Sequence, residues 1–331
     1  MKNRVAFIPK IADYNAPLGK LIERCVGCKT FPNRPLTTRT VELGSKHSPD
    51  TVCTPYKIIM GEFIEFLEKH KNPILLMPGF GCRLGFYDML HEQTLRELGY
   101  TFDMVAWCDY TATPNKIFGA LNKLNPELTR EEFDNHFAVT CAEIADMDAK
   151  AFATRRKVDP TKPSLKIGIV GDLYTVMEPH GNCHMEDWLK KNNIDIVRYC
   201  DLTYLALNIF DIPKLLSQSG GYLKYNLGGN ANCSIAQAYK LMSQDKVDGI
   251  IHVKAATCAP EISAMSILQT MSKDFDVAMM YLTFDTETSD AGLHTRLEAF
   301  CDMLHMKNKN LSPKTCRPTL DTHKIRGKIP L

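Results

Sequence analysis

The sequence predicts an α/β protein with two doubly wound, parallel-sheet lobes and a helical connecting segment. Three observations predict this. Apolar strand-like runs alternate with helical patterns over residues 1–111 and again over 165–305, which is the order βαβ units produce. The run at 73–78, with ILLM inside it, is continuously apolar, as suits a strand buried on both faces. Between the two stretches, residues 112–164 carry helical text and no strand pattern. The expected organisation is an N-terminal lobe (1–111), a helical connection and linker (112–164), a C-terminal lobe (165–305) and a polar tail (306–331).

The elements follow in order. Residues 5–9 read as a short strand and 12–27 as a helix, with Leu18, Leu21, Ile22 and Cys25 near helical spacing. Cys25 and Cys28 form a C-x-x-C pair that closes this helix, whereas a thioredoxin-like pair opens one. Residues 32–48 read as a polar connection. A helix starting near Thr54 then runs through IIMGEFIEFLEKH. The 73–78 strand feeds GFGCRLG, whose glycines let backbone approach a bulky object. A helix ending at Gly99 and a strand at 102–107 follow, with Cys108 near the strand's end. In the connection, Thr129 with Glu131 and Glu132 marks a helix start, and 158–164 reads as a proline-bearing linker. The second half offers strands at 165–171, 194–200, 249–255 and 277–284. Its helices fall at 183–191, 212–218, 234–242 and 291–304.

Composition narrows the function. With 331 residues the chain can bury a large core, and its 44% apolar and 24% charged residues are ordinary for a globular protein. A net charge of +2 gives no field that would gather nucleic acid or membrane. The N-terminus lacks a signal-like apolar run, so a cytoplasmic location is expected. Disulfides are rare there, and twelve cysteines then point to metal or redox chemistry, or to small buried apolar residues.

Two stretches repeat one device. SPDTVCTPYKIIMG and HVKAATCAPEISAM each lead from a Cys-x-Pro step into a helix. Thr54 is placed to cap the first helix, with Pro55 in its first turn. Pro260 and Glu261 suit the start of the second. Cys53 and Cys258 thereby sit at helix N-termini, where the dipole favours thiolate, the form that binds metals and iron–sulfur clusters. Cys82 and Cys258 also follow strong strands, and ligands of open α/β sheets bind beyond the strands' carboxyl ends. We therefore expect Cys53, Cys82 and Cys258 to converge on a cleft and hold a redox cluster. Zinc is the competing metal, but its structural sites favour close ligand pairs, and C-x-x-C occurs once.

These same stretches, with GFGCRLGFYDMLHEQTLRELGY, GIIHVKAATCAPEISAMSILQ, FDTETSDAGLHTRLEAF and the KIGIVGDLYTV segment, resemble the 2-hydroxyacyl-CoA dehydratase component family, its dehydratase-activase-related and double-cubane relatives included. The resemblance covers residues 36–110 and 165–305 in order. It implies Rossmann-like lobes enclosing an oxygen-sensitive 4Fe-4S cluster, in a protein of anaerobes. It implies cluster ligands at Cys53, Cys82 and Cys258. It further implies reduction by a separate ATP-dependent activator of the actin-like ATPase type, and pairing as a homo- or hetero-dimer with a related subunit. In true dehydratases one electron makes a ketyl radical from the 2-hydroxyacyl thioester, and water is lost. An 8Fe-9S double cubane, with further ligands such as Cys233, is the alternative. The chain departs from the family in reading GNANC at 229–233, in its Cys25/Cys28 pair and in its length.

Other candidates have plainer readings beside the functional ones. Cys108, Cys183 and Cys200 flank strands, and Cys141 and Cys301 sit in helices, as packing cysteines do. Cys316 lies in the tail. His252 could serve a cluster sulfur or be a satisfied core group. Arg83 could balance cluster charge or lie at the surface. Glu261 could reach an iron or complement the helix dipole. Asp285 and Glu287 could be paired acids or part of a helix cap, and Arg296 packs or pairs inside its lobe. Gly168–Gly171 lacks the dinucleotide glycine pattern and no Walker loop is present, so ATP hydrolysis is assigned to a partner. A cluster-free binding or scaffold protein, with every cysteine packed, is the reading from another class.

Overall fold

A computed structural model describes residues 4–31, 35–77, 82–106 and 113–310. Gly79 and Gly81 of the glycine loop, Cys108, and the tail from residue 311 with Cys316 lie outside the described residues.

The first lobe begins with β1 (Val5–Phe7), α1 (Asn15–Val26) and β2 (Lys29–Thr30). It continues through α2 (Thr38–Lys46), α3 (Thr54–Leu67), β3 (Ile74–Met77), α4 (Tyr87–Glu97) and β4 (Asp103–Ala106). Two helices follow, α5 (Pro114–Leu124) and α6 (Arg130–Arg155), and α6 opens on a capping box between Thr129 and Glu132. The second lobe starts with β5 (Lys166–Gly171), α7 (Leu173–Met177), α8 (Met185–Lys191) and β6 (Asp195–Arg198). Next come α9 (Leu202–Asn208), α10 (Ile212–Gln218), α11 (Ala231–Lys240) and β7 (Gly249–Ala255). It ends with α12 (Ala259–Phe275), β8 (Ala278–Phe284) and α13 (Asp290–Asn310).

The two sheets have one topology. Their strand orders are β2-β1-β3-β4 and β6-β5-β7-β8, and every pairing is parallel. The expected α/β class with two parallel-sheet lobes is what the chain adopts. In this order the winding reverses beside the first strand of each lobe, between β1 and β3 and between β5 and β7. That is where open sheets bind ligands. The loop after β3 carries Cys82 and the loop after β7 carries Cys258, so the two cysteines occupy equivalent positions in the two lobes.

Some elements differ from expectation. Residues 32–48 are not simply a connection, because α2 lies within them, opened by Thr37 and Thr40 capping one another. Its polar surface hid its period. α2 crosses α3 at Gly44 and Gly61, where a Cβ on Gly44 would stand 1.8 Å from the Lys57 carbonyl oxygen. Only hydrogen at that position allows the two backbones to meet. The short helices α7 and α9 also went unanticipated, each capped by an aspartate, Asp172 and Asp201. α13 continues past the expected end at residue 304 as far as Asn310.

The loop after β1 crosses into the second lobe. Ile11 and Tyr14 belong to the apolar core built by β5, β6 and β7. Tyr14 donates its hydroxyl hydrogen to Asp148 of α6 and accepts from the Leu202 N–H. The two lobes are therefore packed together along this seam rather than tethered by a flexible link.

Candidate metal centre

Cys53 and Cys258 occupy the same local position. Each is the extended residue immediately before a helix, α3 and α12 respectively, with proline as the second helical residue. This corrects the expectation that Thr54 caps the first helix. Cys53 is the N-cap, and the Thr54 hydroxyl instead donates to the Phe284 carbonyl of the other lobe at 3.2 Å. Phe284 O also accepts from the Ala256 N–H at 2.9 Å, two residues before Cys258. The starts of the Cys53 and Cys258 helices thus hang on a single carbonyl oxygen.

Cys82 reaches the same place by a second link. Arg83, next to it, donates to the Thr257 carbonyl oxygen at 2.7 Å, and Thr257 precedes Cys258. Gly229, just before α11, has φ +52°, and a Cβ there would stand 3.3 Å from the Cys82 Cβ and 3.2 Å from Pro260 Cγ. The glycine keeps this wall thin where both cysteine loops press on it. Asp172 completes the group. It caps α7, with one carboxylate oxygen accepting from the Thr175 N–H at 2.9 Å and the other from the Ala255 N–H at 2.6 Å. Its charge acts on the thiols of both Cys53 and Cys258, and the Cys82 sulfur acts on Cys258. All three cysteines are half-buried.

Burial, not the helix dipole, dominates the Cys53 and Cys258 thiols. Desolvation raises Cys53, with the Asp172 charge adding to it, while the Tyr56 N–H, three residues into α3, pulls back. Cys258 is raised further by burial, then by Asp172 and Glu261, against the N–H of Glu261. In the metal-free chain the expected thiolate preference is therefore outweighed. A bound metal reverses that balance, because a coordinating thiol is deprotonated outright.

Other candidates have partners or packing of their own. Glu261 has both carboxylate oxygens engaged inside the second lobe, with His252 Nε2 at 2.8 Å and the Ser234 hydroxyl at 3.0 Å. His252 and Glu261 are fully buried, so neither faces the cysteines as an open ligand. Cys233 lies with Cys200 in the apolar core of the second lobe, and burial pushes the Cys233 thiol up to about 12. Cys25 and Cys28 lie in the first lobe's core, Cys141 is exposed on α6, and Cys301 packs in the second lobe. Asp285 accepts from Thr288 and from the Glu287 N–H in the turn before α13, which is the helix-cap reading. Arg296 donates to the Tyr281 carbonyl.

Sequence reading missed Asp172, Tyr87 and Gly229 as parts of this site. Asp172 carried a usable signal, since a residue just past the first strand of a lobe, three before Thr175, reads as a cap at the ligand-binding edge. Tyr87 and Gly229 gave none. Among the described residues no three His, Cys, Asp or Glu side chains are grouped as the donors of a single metal ion. Cys53, Cys82 and Cys258 come from three separate loops. No protein-family model matches the chain, and no curated protein matches it.

Proposed function

We propose that this chain is an iron–sulfur protein of the 2-hydroxyacyl-CoA dehydratase type, with Cys53, Cys82 and Cys258 as the thiolates that hold a 4Fe-4S cluster. The observation that carries this reading is the convergence itself. The Arg83–Thr257 and Thr54–Phe284–Ala256 links hold the segments of Cys82 and Cys53 beside that of Cys258, although the three lie far apart in sequence. When bound, such a cluster supplies one-electron transfer at low potential. The protein's contribution is to fix three soft donors, exclude water around them and offer backbone N–H groups toward the sulfurs. The electrons come from an ATP-hydrolysing activator and are passed on or used in a radical reduction or dehydration. A related subunit pairs with the chain. No helix among the described residues is long and apolar enough to cross a membrane.

The double-cubane alternative needs further thiolates, and Cys233, its first candidate, packs in the core. That favours the single cluster. Iron and acid-labile sulfide per chain, measured after anaerobic purification, test the proposal: about four irons are expected, about eight would favour the double cubane, and none would leave a cluster-free protein.

A further inference from the structure

We propose that Tyr87 is a positioning residue for this site, its phenolic O–H donating a hydrogen bond to the Cys53 sulfur whenever that sulfur is a thiolate. The inference rests on the iron–sulfur reading above and adds a residue to it. Tyr87 is the first residue of α4 and reaches back to the start of α3, where its oxygen lies 3.9 Å from the Cys53 sulfur. In the metal-free chain the thiol hydrogen points at the phenol. A metal-bound thiolate has no hydrogen, so the direction of the bond must reverse.

The surroundings leave the phenol little else to do. Tyr87 is 6% exposed. Its ring meets Tyr56 edge-on at 4.8 Å, and Tyr56 stacks on the buried His91 at 3.9 Å, so the hydroxyl cannot swing to solvent. The one hydrogen-bond contact described for the Tyr87 hydroxyl is with the Cys53 sulfur. A thiolate at Cys53 can only accept, so the phenol O–H is the group that can donate across this contact. A hydrogen bond to a cluster sulfur stabilises the more negative, reduced state and so raises the reduction potential.

The test uses the full chain, prepared without air, in three forms: wild type, Tyr87→Phe, and 3-fluorotyrosine in place of Tyr87. Phenylalanine keeps the ring packing and removes the donor, and the fluorinated phenol is the stronger donor. The expected result is a midpoint potential that falls with phenylalanine and rises with fluorotyrosine, with iron per chain unchanged. A role in packing alone moves neither potential. Equal potentials in forms that all hold iron overturn the inference and leave the iron–sulfur reading standing. An iron-free wild type overturns both. If the phenylalanine variant loses its iron, the fluorotyrosine form decides: a rise supports the bond and an unchanged value overturns it.

Discussion

Arg83 donates to the Thr257 carbonyl oxygen at 2.7 Å, so the residue after one candidate ligand, Cys82, grips the residue before another, Cys258. The bond spans the two lobes. It is charge-assisted, but Arg83 is exposed and solvent screens much of its worth. Arg83→Met is expected to lower unfolding free energy by about 1 kcal/mol or less. Its larger effect should be local, because the loops bearing Cys82 and Cys258 lose their shared anchor. Chelator stripping of iron should therefore be faster than in wild type. Unaltered stripping would mean that the thiolates hold the geometry without the clamp.

Single Cys→Ala changes at 53, 82 and 258 should each bleach the anaerobic protein and cut its iron. Cys141→Ala should do neither, because Cys141 is exposed on α6. The check is visible absorbance with iron per chain. Full iron in any one of the three variants would remove that cysteine from the ligand set.

The carboxyl of Glu62 offers a pH test away from the cysteines. It is buried where the lobes meet, and both oxygens accept from the Lys10 N–H. Desolvation pushes its pKa from 4.5 up to about 8. The Lys10 N–H and the Lys10 charge oppose the rise, and Glu178 and Glu65 reinforce it. Tyr174, whose hydroxyl is buried without a hydrogen-bond partner, also faces this group. Between pH 4.5 and about 8 the unfolded chain releases the Glu62 proton while the folded chain keeps it. The folded state then binds more protons, so this group's contribution to stability falls as pH rises through that window and is level outside it. Glu62→Gln should flatten that fall. Denaturant melts at pH 5 and pH 8 measure it, and an identical difference in the variant would count against the raised acid.

Much of this was legible in the sequence, for identifiable reasons. The strands declared themselves as continuous apolar runs, because both faces of each sheet are covered. Cys-x-Pro before a helical pattern placed Cys53 and Cys258 at helix starts, since proline fits only the first turn. What escaped were features with no local period. α2 fully buries only Thr40 and Gly44, with Leu43 half-buried against the core, so its apolar stripe is thin. The β2 strand has two residues. Gly229 matters because Cys82 and Pro260 press on it, and no spacing of residues announces that. The competition between burial and the helix dipole at the thiols likewise depends on what covers them, which the chain's order does not state.

One chemical change at two glycines should have opposite signs. Gly44 lies where α2 crosses α3, and a Cβ there would meet the Lys57 carbonyl oxygen at 1.8 Å, the Lys57 carbonyl carbon at 2.6 Å and the Gly61 nitrogen at 3.2 Å. These are backbone atoms of a helix and cannot step aside, so Gly44→Ala must push the helices apart at a cost of about 1–3 kcal/mol. α3 carries Cys53 at its start, so the displacement should also weaken iron retention. Gly119 lies inside α5, and a Cβ added there would meet nothing within 4 Å. Gly119→Ala removes unfolded-state freedom at no steric cost and should stabilise the chain by about 0.5–1 kcal/mol. Denaturant midpoints of the two variants check the pair. A stable Gly44→Ala protein with full iron would show that the α2–α3 crossing does not set the position of Cys53.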